Sequence, residues 1–151
     1  LNQKKELCKA MKSNYLITFI LLISNNLYAF DLSIKITHST TKIDNVGCAL
    51  FHEDIKDFFP MEFDGAKLTN AVLDDDILVC KFNDLTRGRY AVSVFNDLNE
   101  NNKLDTNFFG APTENWGVSK NIRHSMSAPE FEESFIEIKN SDEEIEVILG
   151  K

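Results

Sequence analysis

Alternation of apolar and polar side chains constrains this chain more than any other feature of its sequence. Along Phe30–Ser39, the apolar residues Leu32, Ile34 and Ile36 alternate with polar ones, which is the period-2 pattern of a half-buried β-strand. Six further short segments are rich in β-branched and aromatic residues and are separated by polar turns: Val46–His52, Ala66–Leu73, Ile77–Phe82, Arg89–Phe95, Phe131–Ile138 and Glu143–Leu149. Because no segment has a convincing amphipathic helical pattern, we predict an all-β fold, a seven-stranded antiparallel β-sandwich formed by residues 30–151.

Composition and charge narrow the classes of function. The chain has 151 residues, of which 43% are apolar and 26% are charged, and these are ordinary values for one globular domain. Acidic residues outnumber basic ones by 24 to 16, the formal charge is −8, and no basic cluster of useful size occurs. Because this charge repels a phosphate backbone, we expect no nucleic-acid partner.

The N-terminus has the pattern of a secretory signal peptide. Four lysines precede the apolar run Tyr15–Ile23, and polar residues and then Ala29 follow it. The run is too short to span about 30 Å of hydrocarbon as a helix. We therefore predict a signal peptide at residues 1–29, with residues 1–10 as a candidate upstream extension before Met11. The mature chain is expected in the periplasm or secreted, without a membrane span; an uncleaved membrane anchor is the alternative.

Two cysteines, Cys48 and Cys80, remain after removal of residues 1–29. An even number of cysteines in an exported protein permits one disulfide between them. Two cysteines in predicted strands can also be buried as small apolar side chains. The pair is therefore a candidate disulfide, with simple burial as the alternative.

One loop has the spacing of a metal-binding loop. It opens the irregular stretch Asn96–Ala128, and long irregular stretches of this kind are usually functional. Side-chain oxygens recur at loop positions 1, 3, 5 and 9, and position 7 offers a backbone carbonyl; the residues are Asp97, Asn99, Asn101, Asp105 and Lys103, respectively. Oxygen ligands suit Ca²⁺, so we predict a weak calcium site with a dissociation constant of about 10⁻⁴–10⁻³ M. The alternative is that Asp and Asn are present only as good turn formers.

The loop differs from an EF-hand at two positions. Position 6 is Asn102 instead of glycine, and Asn tolerates the left-handed conformation better than most residues. Position 12 is Phe108, which cannot supply the bidentate carboxylate. A further ligand would come from elsewhere, and Asn107 and Glu114 are the candidates.

The same part of the chain resembles a known family. The patterns D-x-N-x-N-x-K-L-D-T-N-F-F-G-x-P from Asp97, E-x-W-G-x-S-x-N from Glu114 and P-x-F-E from Pro129 resemble the exported bacterial family called domain of unknown function 2141. The resemblance is specific from about Leu85 to Phe135, and residues 32–82 fit the family in pattern only. It implies an exported, immunoglobulin- or transthyretin-like sandwich and no established activity.

Two classes of function fit these features. The first is an exported, non-catalytic module that contacts an envelope protein or a glycan, with Trp116, Phe108 and Phe109 as candidate contact residues. Trp116 can alternatively be a plug that pins the long loop to the sandwich. The second class is a hydrolase of the cell envelope that depends on a metal or on His124. Because no acid, base and nucleophile are concentrated beside one motif, we predict the first class and no enzymatic activity. If the side chains of His124 and Glu114 lay close together in the fold, the hydrolase would be favoured instead.

Overall fold

Strands are the main regular secondary structure in the part of the chain that the structure describes. The computed structural model describes residues 28–38, 43 and 45–150, so the predicted signal peptide lies outside the described residues except for Tyr28 and Ala29. The nine strands are β1 (Phe30–His38), β2 (Val46–His52), β3 (Lys67–Asn70), β4 (Val72–Asp74), β5 (Ile77–Leu85), β6 (Gly88–Asn96), β7 (Trp116–Val118), β8 (Ile136–Ile138) and β9 (Glu143–Leu149). The helices are short: two 3₁₀ helices, Glu53–Phe58 and Ser119–Asn121, and a one-turn α-helix, Phe131–Ser134. None of the helices in these ranges is long and apolar enough to cross a membrane.

The strands form two sheets. One sheet has the order β4-β5-β1-β9, and the other has the order β3-β2-β6-β7 with β8 also paired to β6. The pairs are antiparallel except β1 with β9, which run parallel with Leu32 opposite Glu143 and His38 opposite Leu149. The prediction of an all-β fold is confirmed, and the predicted antiparallel pairing holds for every pair of strands in the described residues except β1 with β9. The predicted number of seven strands is wrong, because the structure has nine.

One correction concerns the segment predicted as a single strand at Ala66–Leu73. Its first part, β3, pairs with β2, whereas its second part, β4, pairs with β5 in the other sheet. The chain changes sheets at Ala71, whose N–H donates to the carbonyl of Val46 at 2.8 Å. The apolar pattern continues through this corner, so the sequence does not show the break.

The predicted strand Phe131–Ile138 is wrong in its first half. Phe131–Ser134 forms a turn of α-helix that Glu130 and Glu133 close with a capping box, and only β8 pairs with β6. Phe131 and Phe135 are four residues apart, and their rings stack with centroids 6.2 Å apart. That spacing brings two side chains together on a helical turn, so the local period is 3.6 and not 2.

A buried core lies between the two sheets. Its largest fully buried side chains come from β1, β2, β5, β6, β8 and β9: Leu32, Ile34, Leu50, Leu85, Val92, Val94, Ile138, Val147 and Leu149. Cys48 of β2 and Cys80 of β5 lie within this inner core, and the structure joins them in a disulfide. The disulfide therefore links one sheet covalently to the other.

A second buried cluster covers the opposite face of β2 and β6. Phe51 of β2 and Phe95 of β6 contribute to it, and they alternate along their strands with residues of the inner core. Irregular segments cover this face; we call residues 53–66, 97–115 and 119–135 the outer layer. Because both faces of the sheet are covered, β6 is buried continuously from Tyr90 to Asn96.

Candidate functional site

The candidate metal loop, residues 97–105, begins where β6 ends. The carboxylate of Asp97 is buried and accepts the backbone N–H groups of Asn101 at 3.0 Å and Asn102 at 2.7 Å. These two hydrogen bonds coil the chain around the carboxylate. Glu100 and Asn102 have φ values of 61° and 57°, in the left-handed region, where Asn is tolerated better than most residues. The sequence-based expectation for Asn102 is confirmed.

The predicted ligands at positions 3, 5 and 9 converge on one another. The carboxylate of Asp105 accepts the side-chain amide N–H groups of Asn99 at 2.6 Å and of Asn101 at 3.0 Å. The amide oxygens of the two asparagines accept the N–H groups of Asn101 and Lys103 within the loop. The structure therefore brings together all four side chains that the spacing singled out.

The two candidate additional ligands lie in different places. Glu114 is buried, and its two carboxylate oxygens accept the N–H of Leu98 at 2.9 Å and the N–H of Asp105 at 3.2 Å. It ties the two ends of the loop together. Asn107 lies after the loop. Its amide oxygen accepts the N–H groups of Phe109 and Ala111 in the next turn, so these hydrogen bonds do not reach the loop.

The donor set of the loop consists of oxygens and amides. Within the described ranges, no group of three or more His, Cys, Asp or Glu residues is arranged to hold a metal ion. The 97–105 loop instead combines two aspartates with two asparagines. Such a set suits a hard cation such as Ca²⁺ better than Zn²⁺, which prefers nitrogen and sulfur ligands.

Leu104 connects the loop to the rest of the fold, and sequence reasoning did not single it out. Its side chain is buried in the second cluster, together with Phe51 and Phe131. The available signal was a lone apolar residue between Lys103 and Asp105 in an otherwise polar loop. The conformation of the loop is thus coupled to the packing of the outer layer.

The candidate contact residues Phe108 and Phe109 lie at the tip of a short hairpin, residues 106–112, which we call the Phe finger. Thr106 and Pro112 form an antiparallel bridge at its base. The side chains of Phe108 and Phe109 are 96% and 89% exposed, and their rings meet edge to face with centroids 5.5 Å apart. The two rings form one protruding apolar knob.

Trp116 packs as the plug that the sequence left as an alternative. It is only 9% exposed, and the guanidinium of Arg123 lies 4.5 Å from the centre of its ring. The Arg123 side chain also donates to the Trp116 carbonyl at 2.6 Å. The ring still forms part of the wall of a groove of about 210 Å³ between the Phe finger and residues 125–129, where Met61 and Met126 are further walls.

His124, the base in the hydrolase alternative, contacts Glu133, with 2.8 Å between Nε2 and Oε2. This hydrogen bond, together with the N–H of Glu130, holds the pKa of the Glu133 carboxyl below its usual value. Glu114 bonds to the ends of the 97–105 loop instead. His124 and Glu114 therefore have separate partners and do not form the pair that would favour this alternative.

Comparison with known proteins agrees with the resemblance seen in the sequence. The profile of a family described as an uncharacterized protein conserved in bacteria, DUF2141, matches residues 34–146. The match runs from β1 to β9 and so includes strands where the sequence resembled the family in pattern only. No curated protein and no solved structure matches the chain.

Proposed function

The chain belongs to the DUF2141 family of uncharacterized bacterial proteins, and we propose that it is an exported, non-catalytic module with a structural calcium site in the 97–105 loop. The observation that supports this best is the convergence of the side chains at positions 1, 3, 5 and 9 of one coiled loop. The proposed ligands are the side chains of Asp97, Asn99, Asn101 and Asp105 and the carbonyl of Lys103.

A cation in this loop would balance clustered negative charge. Asp97 and Asp105 lie within the loop, and Glu114 closes its ends, in a chain whose formal charge is −8. The amides of Asn99 and Asn101 now offer N–H groups to Asp105. Rotation by about 180° would offer their oxygens to a cation in the same place and would break the bonds that these oxygens accept from the N–H groups of Asn101 and Lys103, so the cation has to compensate for that loss. Since Leu104 joins the loop to the second cluster, such binding would stabilise the outer layer and, by mass action, the whole fold.

Export and the sandwich arrangement belong to the same proposal. The signal-peptide pattern at residues 1–29 supports a periplasmic or secreted protein, and a disulfide is typical of an oxidising compartment. The disulfide between the sheets and the pairing of the first and last strands support an immunoglobulin- or transthyretin-like β-sandwich.

The contact surface that we propose for an envelope partner is the groove beside Trp116. Its walls include Pro60, Met61 and Met126, and methionines adapt readily to apolar segments. Sugar recognition usually needs an exposed aromatic face, whereas the ring of Trp116 is mostly buried and lies against Arg123. The exposed aromatic ring at this groove is that of Phe109, and since Pro60, Met61 and Met126 offer no hydrogen bonds to a sugar from their side chains, we propose an apolar segment of a protein as the occupant. The hydrolase alternative has weaker support, because His124 and Glu114 bond to different groups and do not converge.

A thermal melt tests the calcium site. With a dissociation constant of about 10⁻⁴–10⁻³ M, 10 mM Ca²⁺ should raise the melting midpoint by about 5–10 °C over the value in EDTA. Mg²⁺ should do much less, because it demands octahedral geometry and gives up its water reluctantly. Asp105→Asn should abolish the rise, and the matched control Asp76→Asn, in the acidic turn between β4 and β5, should retain it. Equal shifts in both ions, or a shift that survives in Asp105→Asn, would contradict the proposal.

A further inference from the structure

The Phe finger places adjoining apolar side chains in solvent. Phe108 and Phe109 are almost completely exposed and touch each other, and the exposed Met126 lies with Phe109 at the same groove. Single exposed apolar residues are ordinary on a protein surface. Contiguous ones at a protruding tip indicate a surface that a lipid phase or another molecule covers. The question is which kind of partner covers this tip.

The backbone of the finger is largely closed on itself. The amide oxygen of Asn107 accepts the N–H groups of Phe109 at 2.9 Å and Ala111 at 3.1 Å. The Asn107 N–H donates to the Ala111 carbonyl at 2.8 Å, and the Gly110 N–H donates to the Asn107 carbonyl at 2.9 Å. Pro112 has no N–H. A segment that enters an apolar phase must satisfy its backbone groups internally, and the finger meets that condition for these groups. No backbone N–H of the described residues donates to the carbonyl of Phe108, Phe109 or Gly110, so the tip suits the hydrated headgroup region and not the acyl core.

The finger also lacks charge. Residues 106–113 contain no Asp, Glu, Lys or Arg, although 26% of the chain is charged, and charge resumes at Asp105 and Glu114 on either side. An uncharged tip with aromatic side chains above a polar base suits shallow insertion at the boundary between lipid headgroups and acyl chains. A convex knob of this kind needs no matching cavity in a lipid surface, whereas a protein partner would have to supply one.

The proposed calcium loop lies at the base of the finger. The Asp105 carbonyl accepts the N–H of Thr113 at 2.8 Å and its hydroxyl at 3.2 Å, which fixes the finger to the loop. The loop would supply five oxygens, whereas Ca²⁺ takes about six to eight. No bidentate carboxylate stands at position 12 of the sequence pattern, where Phe108 is found, so one or more coordination positions would be open to an oxygen from another molecule.

We propose that the Phe finger is a calcium-dependent anchor to a membrane surface. Phe108 and Phe109 insert among the headgroups, and Ca²⁺ in the 97–105 loop bridges to the phosphate of an anionic phospholipid. Without calcium, the carboxylates at the base of the finger repel that phosphate, and the formal charge of −8 repels the surface as a whole. The dependence on calcium rests on the proposed function, whereas the insertion of the two rings rests on the finger itself.

A local fluorescent reporter tests the insertion. The parent chain has one tryptophan, the mostly buried Trp116, so the variant Phe109→Trp adds an indole at the tip. The full chain is mixed with vesicles of phosphatidylcholine and phosphatidylglycerol that carry brominated acyl chains, in Ca²⁺ or in EDTA. We expect a blue shift and strong quenching of the added indole in Ca²⁺, and neither in EDTA. The matched control is Leu73→Trp, at a 68% exposed apolar position on β4 of the other sheet, which should show no quenching.

Sedimentation with the same vesicles supplies the second readout. The double variant Phe108→Ser/Phe109→Ser should lower the vesicle partition coefficient about tenfold or more, because two aromatic side chains are removed from the interface. Phosphatidylcholine vesicles without the anionic lipid should bind the parent weakly in Ca²⁺. The N-terminal segment is the same in all variants, so a difference between two variants reports on the substituted residues.

Each remaining outcome would overturn the inference in a distinguishable way. Equal quenching of Phe109→Trp and Leu73→Trp would show general adhesion, and equal quenching in Ca²⁺ and EDTA would remove the calcium bridge. If the added indole is not quenched but Ca²⁺ still raises the melting midpoint, the calcium site stands and the membrane anchor does not. The finger would then be assigned to a protein partner. Absence of both effects would overturn this inference and the proposed function together.

Discussion

The inner core and the outer layer are both buried, but their backbones are satisfied in different ways. In the inner core, the side chains come from paired strands, whose N–H and carbonyl groups bond to one another in ladders. In the outer layer, polar side chains take over much of this role: Asp97 and Glu114 accept backbone N–H groups at the 97–105 loop. The stability of a region whose backbone groups pair in strand ladders depends little on ions. The stability of a region whose backbone groups bond to carboxylates depends on charge and on cations.

Two further polar side chains of the outer layer also bond to backbone groups. The buried hydroxyl of Ser119 accepts the N–H of Val92 at 3.0 Å and donates to the carbonyl of Ser134 at 2.6 Å, joining β6 to the helical turn. The amide of Asn121 bonds to the N–H of Ile148 at 2.8 Å and to the carbonyl of Glu146 at 3.3 Å. Asn121 thus takes the place of a neighbouring strand beside β9, which protects this edge from pairing with another chain.

The comparison predicts unequal losses for the same substitution in the two regions. Leu50 of β2 is 1% exposed in the inner core, and Leu104 is 6% exposed in the outer layer. We expect Leu50→Ala to lower the free energy of unfolding by about 3–5 kcal/mol, because surrounding strands cannot close the cavity. Leu104→Ala should lower it by about 2 kcal/mol, because the loop can collapse towards the space left. Urea unfolding in EDTA measures both, and equal losses would show that the outer layer is as rigid as the core.

Sequence patterns predicted the inner core well because strand periodicity follows directly from burial on one face. The bounds of β2 and β9 were predicted as they stand, and Tyr90, Val92 and Val94 of β6 do share the inner face. The strand β7 was missed because three residues are too few to show a period. The helical turn at Phe131–Ser134 was missed because its aromatic residues have high strand propensity, and packing in the second cluster decided their conformation.

The candidate site was predictable only to the level of its spacing. The oxygen-bearing residues at positions 1, 3, 5 and 9, which are the proposed ligands, could be recognised because their spacing is a property of the sequence itself. The role of Glu114 was not visible, since its bonds to Leu98 and Asp105 depend on how the chain returns from the Phe finger to β7. The burial of Trp116 was left open for the same reason, because the contacts that cover it come from Arg123 and Gly150.

Glu114→Gln tests how much the stability of the 97–105 loop depends on a carboxylate that accepts backbone N–H groups. The substitution keeps one acceptor and replaces the other with an N–H donor, so one of the two backbone N–H groups loses its partner. We expect the free energy of unfolding to fall by about 1–3 kcal/mol. Glu100→Gln removes the same charge from an exposed position of the same loop and should change stability by less than about 0.5 kcal/mol. Both variants are compared by urea unfolding in EDTA, and calcium titration of each then tests the role of Glu114. A calcium affinity that falls much more than stability would identify Glu114 as a ligand and not a clamp.

The smallest expected effect lies at the rim of the outer layer, where His124 contacts Glu133. The hydrogen bond from His124 and, after it, the N–H of Glu130 lower the pKa of Glu133 in the folded chain below the ordinary value of 4.5. A carboxyl whose pKa is lower in the folded state contributes stability above its unfolded pKa, and this contribution is lost as the pH falls through the folded pKa. Stability therefore rises with pH across this acidic window. Because both side chains are substantially exposed, solvent and salt keep the effect small.

The acid limb of the melting curve measures this contribution. Glu133→Gln retains an acceptor for the capping box but removes the titrating group, so its midpoint should fall less steeply between about pH 5 and pH 3 than that of the parent. Glu137→Gln, in an exposed ion pair with Lys139 on β8, is the matched control and should keep the parental slope. High salt should reduce the difference between parent and Glu133→Gln. If Glu133→Gln and the parent have the same acid limb at low salt, the contact with His124 does not persist in solution, and packing and the ion pairs of Glu132 with Arg89 and Lys56 hold the rim of the outer layer.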